Sequence, residues 1–456
     1  MVATTVFTWP AVLLPVAVLL ELLAVTGAGE TFSYVSCGLF FSYFLLSPRG
    51  LEIYARLLGL VAVATLAGLA FNGRLDLSRL GHAAEAAAFY SSFLGSLGLM
   101  QSLVRRFELL RRVHDLLLGG RPLFLYPKYA LTSLSIASIL NFSVVNVLCG
   151  SLMETLDQRG IVGAERQQWL RSILIVTLRG FALVPLIAPT SVAIAIITRE
   201  VPALSWSMLV PYTAVAALVF VLVGWALEAR RFRQVSHQRV ELNGLPPGSG
   251  ILAVCVALLL VGMATVVLLT SLSVSKAAML TVPCLTIGFL LLRERNPRAL
   301  GRELQDNLVG LRNEMFIFAC SAAIGSTLAS IVPAYWVQAI ADTGSGQLGF
   351  AIVGMLMIMG GAAVGIAPLV VLTFLAGVLG QIQQSGAPVL FSGVALAVGF
   401  SMAMMLSPFG PSVMVLARFG RLSRLTVAFG WNLRYTLVAL PAICLLLVLA
   451  INFSTL

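Results

Sequence analysis

The sequence predicts an all-α polytopic membrane protein with about 11 transmembrane helices, built as an inverted repeat with two re-entrant hairpins and two broken helices. Of its 456 residues, 59% are hydrophobic and only 10% are charged, whereas soluble domains carry about 25% charged residues. No soluble fold can bury so much apolar surface. Arginine clusters separate the apolar stretches, as expected of cytoplasmic loops. The same composition excludes a nucleic-acid-binding protein and a secreted disulfide scaffold.

Each predicted span is an apolar stretch of about 20 residues or more. In chain order the spans are 9–27, 31–47, 51–72, 82–103, 166–199, 204–228, 251–272, 275–293, 313–333, 388–418 and 427–450. The first span has no basic residues before it, which favours a membrane anchor over a cleaved signal peptide. Segments 103–119 and 298–311 place apolar residues at helical spacing among charged ones, which predicts helices on the cytoplasmic face.

Two further apolar stretches, 126–156 and 347–381, are too long for one span and too short for two. The arginine clusters share one side of the membrane only if both stretches return to the side from which they entered. These clusters lie at 105–112, 230–233, 293–302 and 418–424. We therefore predict two re-entrant hairpins, the first entering from the cytoplasm and the second from the periplasm. The N-terminus is then cytoplasmic and the C-terminus periplasmic, in a bacterial inner membrane.

The hairpins divide the chain into two similar halves. Residues 1–229 form the N-terminal half, residues 230–250 a polar cytoplasmic linker, and residues 251–456 the C-terminal half. Proline and glycine clusters interrupt one long span in each half, around Pro189 and Pro408, and such clusters break helices. The spacing between these prolines equals that between Asn141 and Gly360, which we place at the tips of the hairpins. Paired broken helices in halves of opposite orientation are typical of secondary transporters, with the site at the midplane.

This arrangement resembles the ion transporter superfamily, whose best-known members are the divalent anion/sodium symporters and the citrate transporters. Those symporters carry Ser-Asn-Thr at each hairpin tip. Here the first tip reads Ser138-Ile139-Leu140-Asn141-Phe142-Ser143, with an Asn between hydroxyls, and the second tip, around Gly360-Gly361, has no Ser, Asn or Thr. The resemblance covers the whole chain in architecture. It implies polar hairpin tips that meet the broken helices near the bilayer centre.

Helix ends at such a site present unpaired N–H groups to an anion and carbonyls to a cation. The predicted substrate-binding residues are Asn141, Ser143, Thr190, Ser191, Gly360, Gly361, Ser407 and Ser412. The predicted ion-binding residues are Ser138, Asn141, Ala188, Pro189 and Thr190. No catalytic residue, resident metal or organic cofactor is expected.

The positions of the acidic residues favour sodium as the coupling ion. No Asp or Glu occurs between Glu165 and Glu200, or after Asp342, so both broken spans and the second hairpin lack the carboxylate that a proton relay usually needs. The rival is a relay through Glu154 or Glu314, although Glu314 is predicted to be an interfacial, solvated acid. Arg179 is predicted to be an interfacial anchor that extends its side chain toward the headgroups.

We therefore expect a secondary active transporter of a small organic anion, most simply a carboxylate, working by an elevator-type mechanism. A homodimer, built on spans rich in small residues, is expected to provide the fixed scaffold. One alternative is the large membrane subunit of a tripartite, binding-protein-dependent carboxylate transporter. A membrane enzyme acting on a lipid-linked substrate is disfavoured, because no HExxH motif and no paired carboxylates occur within a span.

Overall fold

The computed structural model of the chain describes residues 9–104, 124–140, 143–158, 160–235 and 249–454. In these ranges the regular structure is helical, without strands. Within them, eight helices are long and apolar enough to cross a membrane, or nine if a pair bent by 55°, Pro297–Gly310 and Arg312–Ser330, forms one span. The all-α polytopic membrane class is therefore confirmed. The count of eleven stays a prediction, because some predicted spans are short or rich in small and polar residues.

Five helices come first in the chain. They are α1 (Leu13–Leu23), α2 (Glu30–Leu46), α3 (Ile53–Phe71), α4 (Leu77–Gly98) and α5 (Met100–Val104). Helix α4 begins at Leu77 because the Asp76 carboxylate caps it, accepting hydrogen bonds from the Arg79 N–H and the Ser78 hydroxyl, both at 2.8 Å. These hydrogen bonds, with that from Arg79 the largest contribution, lower the pKa of Asp76 in the loop before the helix.

The first hairpin and the first broken span follow. They comprise α6 (Leu125–Leu140), α7 (Ser143–Gln158), α8 (Gly163–Ala182), α9 (Val184–Ile187) and α10 (Val192–Glu200), and α11 (Trp206–Val235) completes this half. The predicted interruption of the span is confirmed, because residues 188–191 are not helical. Helix α11 continues past residue 230, so the predicted linker starts inside a helix. Linker residues 236–248, and most of the predicted amphipathic segment 103–119, lie outside the described residues.

The second half opens with five helices, of which the second, third and fourth pack against helices of the α1–α4 group. They are α12 (Ser249–Thr270), α13 (Val274–Glu294), α14 (Pro297–Gly310), α15 (Arg312–Ser330) and α16 (Ala334–Ala341). Helix α14 coincides with the predicted segment 298–311 and is amphipathic, since Leu300 and Leu308 are buried while Arg298 and Arg302 are exposed. Helix α15 packs along α4 on one side and against the second hairpin on the other. It therefore joins the N-terminal helices to the hairpin.

The second hairpin, the second broken span and one further helix end the chain. They are α17 (Gly344–Val364), α18 (Pro368–Gln384), α19 (Leu390–Leu406), α20 (Pro411–Gly420) and α21 (Trp431–Ser454). Residues 407–410 interrupt the span between α19 and α20, as predicted. Helix α17 packs on α19, and α18 packs on α10 of the other half.

The two broken spans form the centre of the molecule. In each, 89% of the most apolar window is buried, against 11% in Ile53–Phe71, which faces outward. The two breaks also correspond in residue number. Adding 219 to the residue number takes the end of α9 to the end of α19 and the start of α10 to the start of α20. The same difference separates Ser401 from Ala182, whose carbonyl accepts a hydrogen bond from the Ser401 hydroxyl. Equivalent positions thus touch each other, as they do on a pseudo-two-fold axis, which agrees with a repeated pair of broken spans.

Arg179 does not extend to the membrane interface, contrary to the prediction from its position. Its side chain is 3% exposed. Its guanidinium donates to Glu228 at 3.4 Å, to the Asn432 side chain at 3.2 Å and to the Trp431 carbonyl at 3.0 Å, and lies 4.2 Å from the centre of the Tyr435 ring. Because these partners accept hydrogen bonds from its guanidinium, Arg179 connects α8 to α11 and α21 instead of facing a substrate.

Candidate functional site

A cavity of about 310 Å³ lies where the second hairpin turn meets the second helix break. One wall consists of the turn and the break, including Ser407, Phe409 and Ser412. The opposite wall comes from the start of α3 and the start of α15. The remaining lining is largely apolar, contributed by Ile317, Phe318, Leu369, Phe400, Met404, Met414 and Val415. A cavity of this kind, apolar with a few converging polar groups, is typical of a small-molecule site.

The hairpin turn lies at Gly365–Ala367, so its predicted position at Gly360-Gly361 is wrong. Both of those glycines lie inside α17, and only Gly365 leaves the helix, with a φ of +100°. Two adjacent glycines keep helical geometry where neighbouring helices support them. The positive φ of Gly365 and the fixed φ of Pro368, which starts α18, instead define the turn. Gly360 and Gly361 do not line the cavity, and the equal hairpin spacing inferred from Gly360 fails with them.

Ser407 and Ser412 lie in the cavity wall, as predicted. Ser407 is 2% exposed and lines the cavity. The Ser412 hydroxyl donates to the Met404 carbonyl at 3.2 Å, satisfying one carbonyl at the end of α19. The first N–H groups of α20 have no intrahelical acceptor, and the positive end of the helix dipole lies there. This wall therefore offers a buried hydroxyl and backbone N–H groups, the donors suited to an anion.

The first break has a different environment. The Thr190 hydroxyl donates to the Ser138 carbonyl at 2.6 Å, so the break does contact the first hairpin. Ser191 is buried, and its N–H donates to the Ala188 carbonyl at 3.1 Å. Ser138 turns its own hydroxyl back to the Leu134 carbonyl. Asn141 lies outside the described residues, as does the side chain of Ser143.

Side chains from α11 cover the carbonyls that the first break frees. The Trp206 indole N–H donates to the Ile187 carbonyl at 3.2 Å, and the Thr213 hydroxyl donates to the Leu186 carbonyl at 2.5 Å. None of the predicted first-half residues lines the cavity at the second break. Instead of gathering the predicted residues of both halves into one pocket, the cavity combines the second break with α3 and α15.

Sequence reasoning did not place the polar and charged residues of this cavity at the site. Glu52, Asn313 and Glu314 stand on the α3–α15 side, and Arg418 stands near the end of α20. Glu314 is not a solvated acid, contrary to the prediction: its Oε2 atom is buried and has no hydrogen-bond partner among the described residues. Carboxylates on one wall thus face a cation and a helix N-terminus on the other. Only the position of Glu314 within an apolar run signalled this from sequence.

Comparison with known proteins supports the fold. No protein-family model matches the chain, and no curated protein matches it. A solved structure that it resembles is the crystal structure of the YdaH transporter of Alcanivorax borkumensis, which is described as having an unusual topology. The TM-score is 0.59 at 15% sequence identity, and the alignment covers 88% of this chain and 99% of that one. A likeness at this identity establishes the shared helical membrane fold.

Proposed function

We propose that this chain is a secondary active transporter of a small organic anion in the ion transporter superfamily. The observation that carries the proposal is the cavity at the second break, where the buried Ser407 hydroxyl and the N-terminus of α20 converge in an apolar chamber. A carboxylate there receives backbone N–H groups and the favourable end of a helix dipole. The likeness in fold to a structure described as a transporter supports the same function.

Transport itself follows an elevator-type mechanism. The broken spans and hairpins form one packed unit, because α17 lies on α19, α18 on α10 and α20 on the first hairpin's α7. This unit moves against the helices α1–α4 and α12–α15, and a homodimer holds those helices in place. The anion is carried near Ser407 and Ser412 while the wall formed by α3 and α15 stays behind.

Uptake into proteoliposomes tests the proposal. We expect the purified chain to accumulate at least one member of a panel of radiolabelled mono- and dicarboxylates when an ion gradient is imposed. Replacing Met404 by Trp fills the cavity with an indole and is expected to reduce uptake at least ten-fold, whereas Met404→Leu, of similar volume, retains most of it. Equal uptake by both variants would place the substrate elsewhere.

Sodium coupling rests on the first hairpin and the first break. The Thr190 hydroxyl and the Ser138 carbonyl already lie together there, and the Asn141 side chain would add an amide oxygen. We expect Asn141→Ala to weaken sodium dependence more than substrate affinity at saturating sodium. Loss of one oxygen ligand costs about 1–3 kcal/mol, roughly five- to a hundred-fold in ion affinity.

The measurement is the sodium concentration for half-maximal uptake. Ser135→Ala serves as the control, because among the described residues this α6 hydroxyl bonds to the Leu131 carbonyl of its own helix and to no other group. Uptake that persists without sodium and collapses in Glu154→Gln or Glu314→Gln would refute sodium coupling in favour of a proton relay.

A further inference from the structure

The end of α10 is docked on α4. The Arg199 guanidinium lies 4.9 Å from the ring centre of Phe89 and 5.3 Å from that of Tyr90, and it donates to the Glu85 carbonyl at 3.3 Å. The next residue, Glu200, accepts a hydrogen bond from the Tyr90 hydroxyl at 3.1 Å. A cation over aromatic faces away from water is a favourable contact. The first broken span is thus held against the N-terminal helices at this end.

The corresponding end of α20 is open. The 219-residue difference in numbering between the two breaks makes Arg418 the counterpart of Arg199. Arg418 is exposed and takes no part in an ion pair among the described residues. Arg418 lines the cavity whose other wall holds Glu314 and Phe318 of α15. On α15 these two residues repeat the four-residue spacing of Glu85 and Phe89 on α4. The cavity therefore separates Arg418 from a glutamate–phenylalanine pair in which Glu314 Oε2 has no hydrogen-bond partner among the described residues.

We propose that Arg199 and Arg418 make alternating docking contacts: α10 docks on α4 in the observed state, and α20 docks on the Glu314–Phe318 pair of α15 in the opposite state. This inference rests on the proposed transport function. In each state one arginine closes its end of the moving unit, and the substrate site opens at the other end. Arg199, Glu314 and Arg418 are thus positioning residues for transport.

The unsatisfied carboxylate supplies the reason for the second contact. A buried polar atom without a hydrogen-bond partner costs free energy, and Glu314 Oε2 is such an atom in the observed state. Docking of Arg418 would give it a charge-assisted partner. The two contacts exclude each other because α10 and α20 belong to one unit, tied together by the hydrogen bond from Ser401 to the Ala182 carbonyl and by the packing of α18 on α10.

Cysteine labelling tests the inference without any substrate. The six native cysteines are replaced by Ala or Ser, and Val415, which lines the cavity, is changed to Cys. A membrane-impermeant maleimide is then applied from the side on which the cavity opens, to the full chain in oriented vesicles. We expect Arg199→Leu to lower the labelling rate several-fold, because it releases the observed state. Glu314→Gln is expected to raise the rate, because it removes the contact of the opposite state.

A charge exchange separates docking from a general structural role. Glu314→Arg alone is expected to raise the labelling rate, and adding Arg418→Glu is expected to return it to that of the parent protein. Arg421→Gln, which removes a charge three residues from Arg418, serves as the matched control and should leave the rate unchanged. Shifts of Arg199→Leu and Glu314→Gln in the same direction, or failure of the exchange, would overturn the inference. If the two variants change the labelling rate in opposite directions but the protein transports no organic anion, the docking inference stands and only the proposed function is refuted.

Discussion

Replacing Glu228 by Leu is expected to lower the free energy of unfolding by about 3–5 kcal/mol, the usual cost of leaving one charge of a buried pair uncompensated. Arg179 would then keep the Asn432 amide and the Trp431 carbonyl as polar partners but would lose its carboxylate. The measurement is an SDS unfolding titration of the purified protein in detergent. This substitution should also reduce the yield of folded protein in the membrane.

The reverse substitution distinguishes the buried pair from simple packing. Arg179→Met leaves Glu228 with Arg231 at 2.5 Å, an arginine that is 33% exposed, so it is expected to destabilise the protein less than Glu228→Leu. The double variant should be closer in stability to Arg179→Met than to Glu228→Leu, because it leaves no buried arginine unpaired. Equal losses in the two single variants would show that the charge pair does not determine stability here.

Among glycine-to-alanine substitutions in the second hairpin, Gly380→Ala is expected to lower the free energy of unfolding the most. The new Cβ would lie 2.3 Å from the Glu200 carbonyl oxygen, and because that atom belongs to the backbone, α18 and the end of α10 must separate. In membranes, glycine at such a crossing lets helices approach closely. Overpacking of this kind costs about 1–3 kcal/mol.

The same unfolding titration measures this loss, with Gly349→Ala as the matched control. Gly349 lies in α17 with nothing within 4 Å of the added Cβ, so its replacement by Ala should be neutral or slightly stabilising. If both variants have the same stability, the close approach of α18 to α10 is not required.

Local features of the sequence predicted the order of the elements well. The interruptions at 188–191 and 407–410 were predictable because proline and glycine clusters inside apolar stretches rarely permit a continuous helix. The predicted position of the second hairpin turn was wrong because two adjacent glycines do not by themselves specify a turn and can also lie within a helix. Gly365 and Pro368 determine the turn, and each is an ordinary residue for a membrane helix when read singly.

The cavity was harder to predict because its wall is assembled from distant parts of the chain. Glu52 and Glu314 reach the second break only through the packing of α3 and α15. Arg179 illustrates the same difficulty, because the residues that make its burial possible lie 49 and 253 positions away. The sequence put Arg179 inside the predicted span 166–199, but it carried no information about what surrounds that helix.

The covering of the first break by α11 has a consequence for how this protein can diversify. Trp206 and Thr213 fix the Ile187 and Leu186 carbonyls, so altering the first break disturbs bonds to a neighbouring helix. The second break faces the cavity of about 310 Å³, which Phe409 and Met414 line. We therefore expect substitutions to be tolerated less at the first break than at the second, where they would change the lining of the cavity.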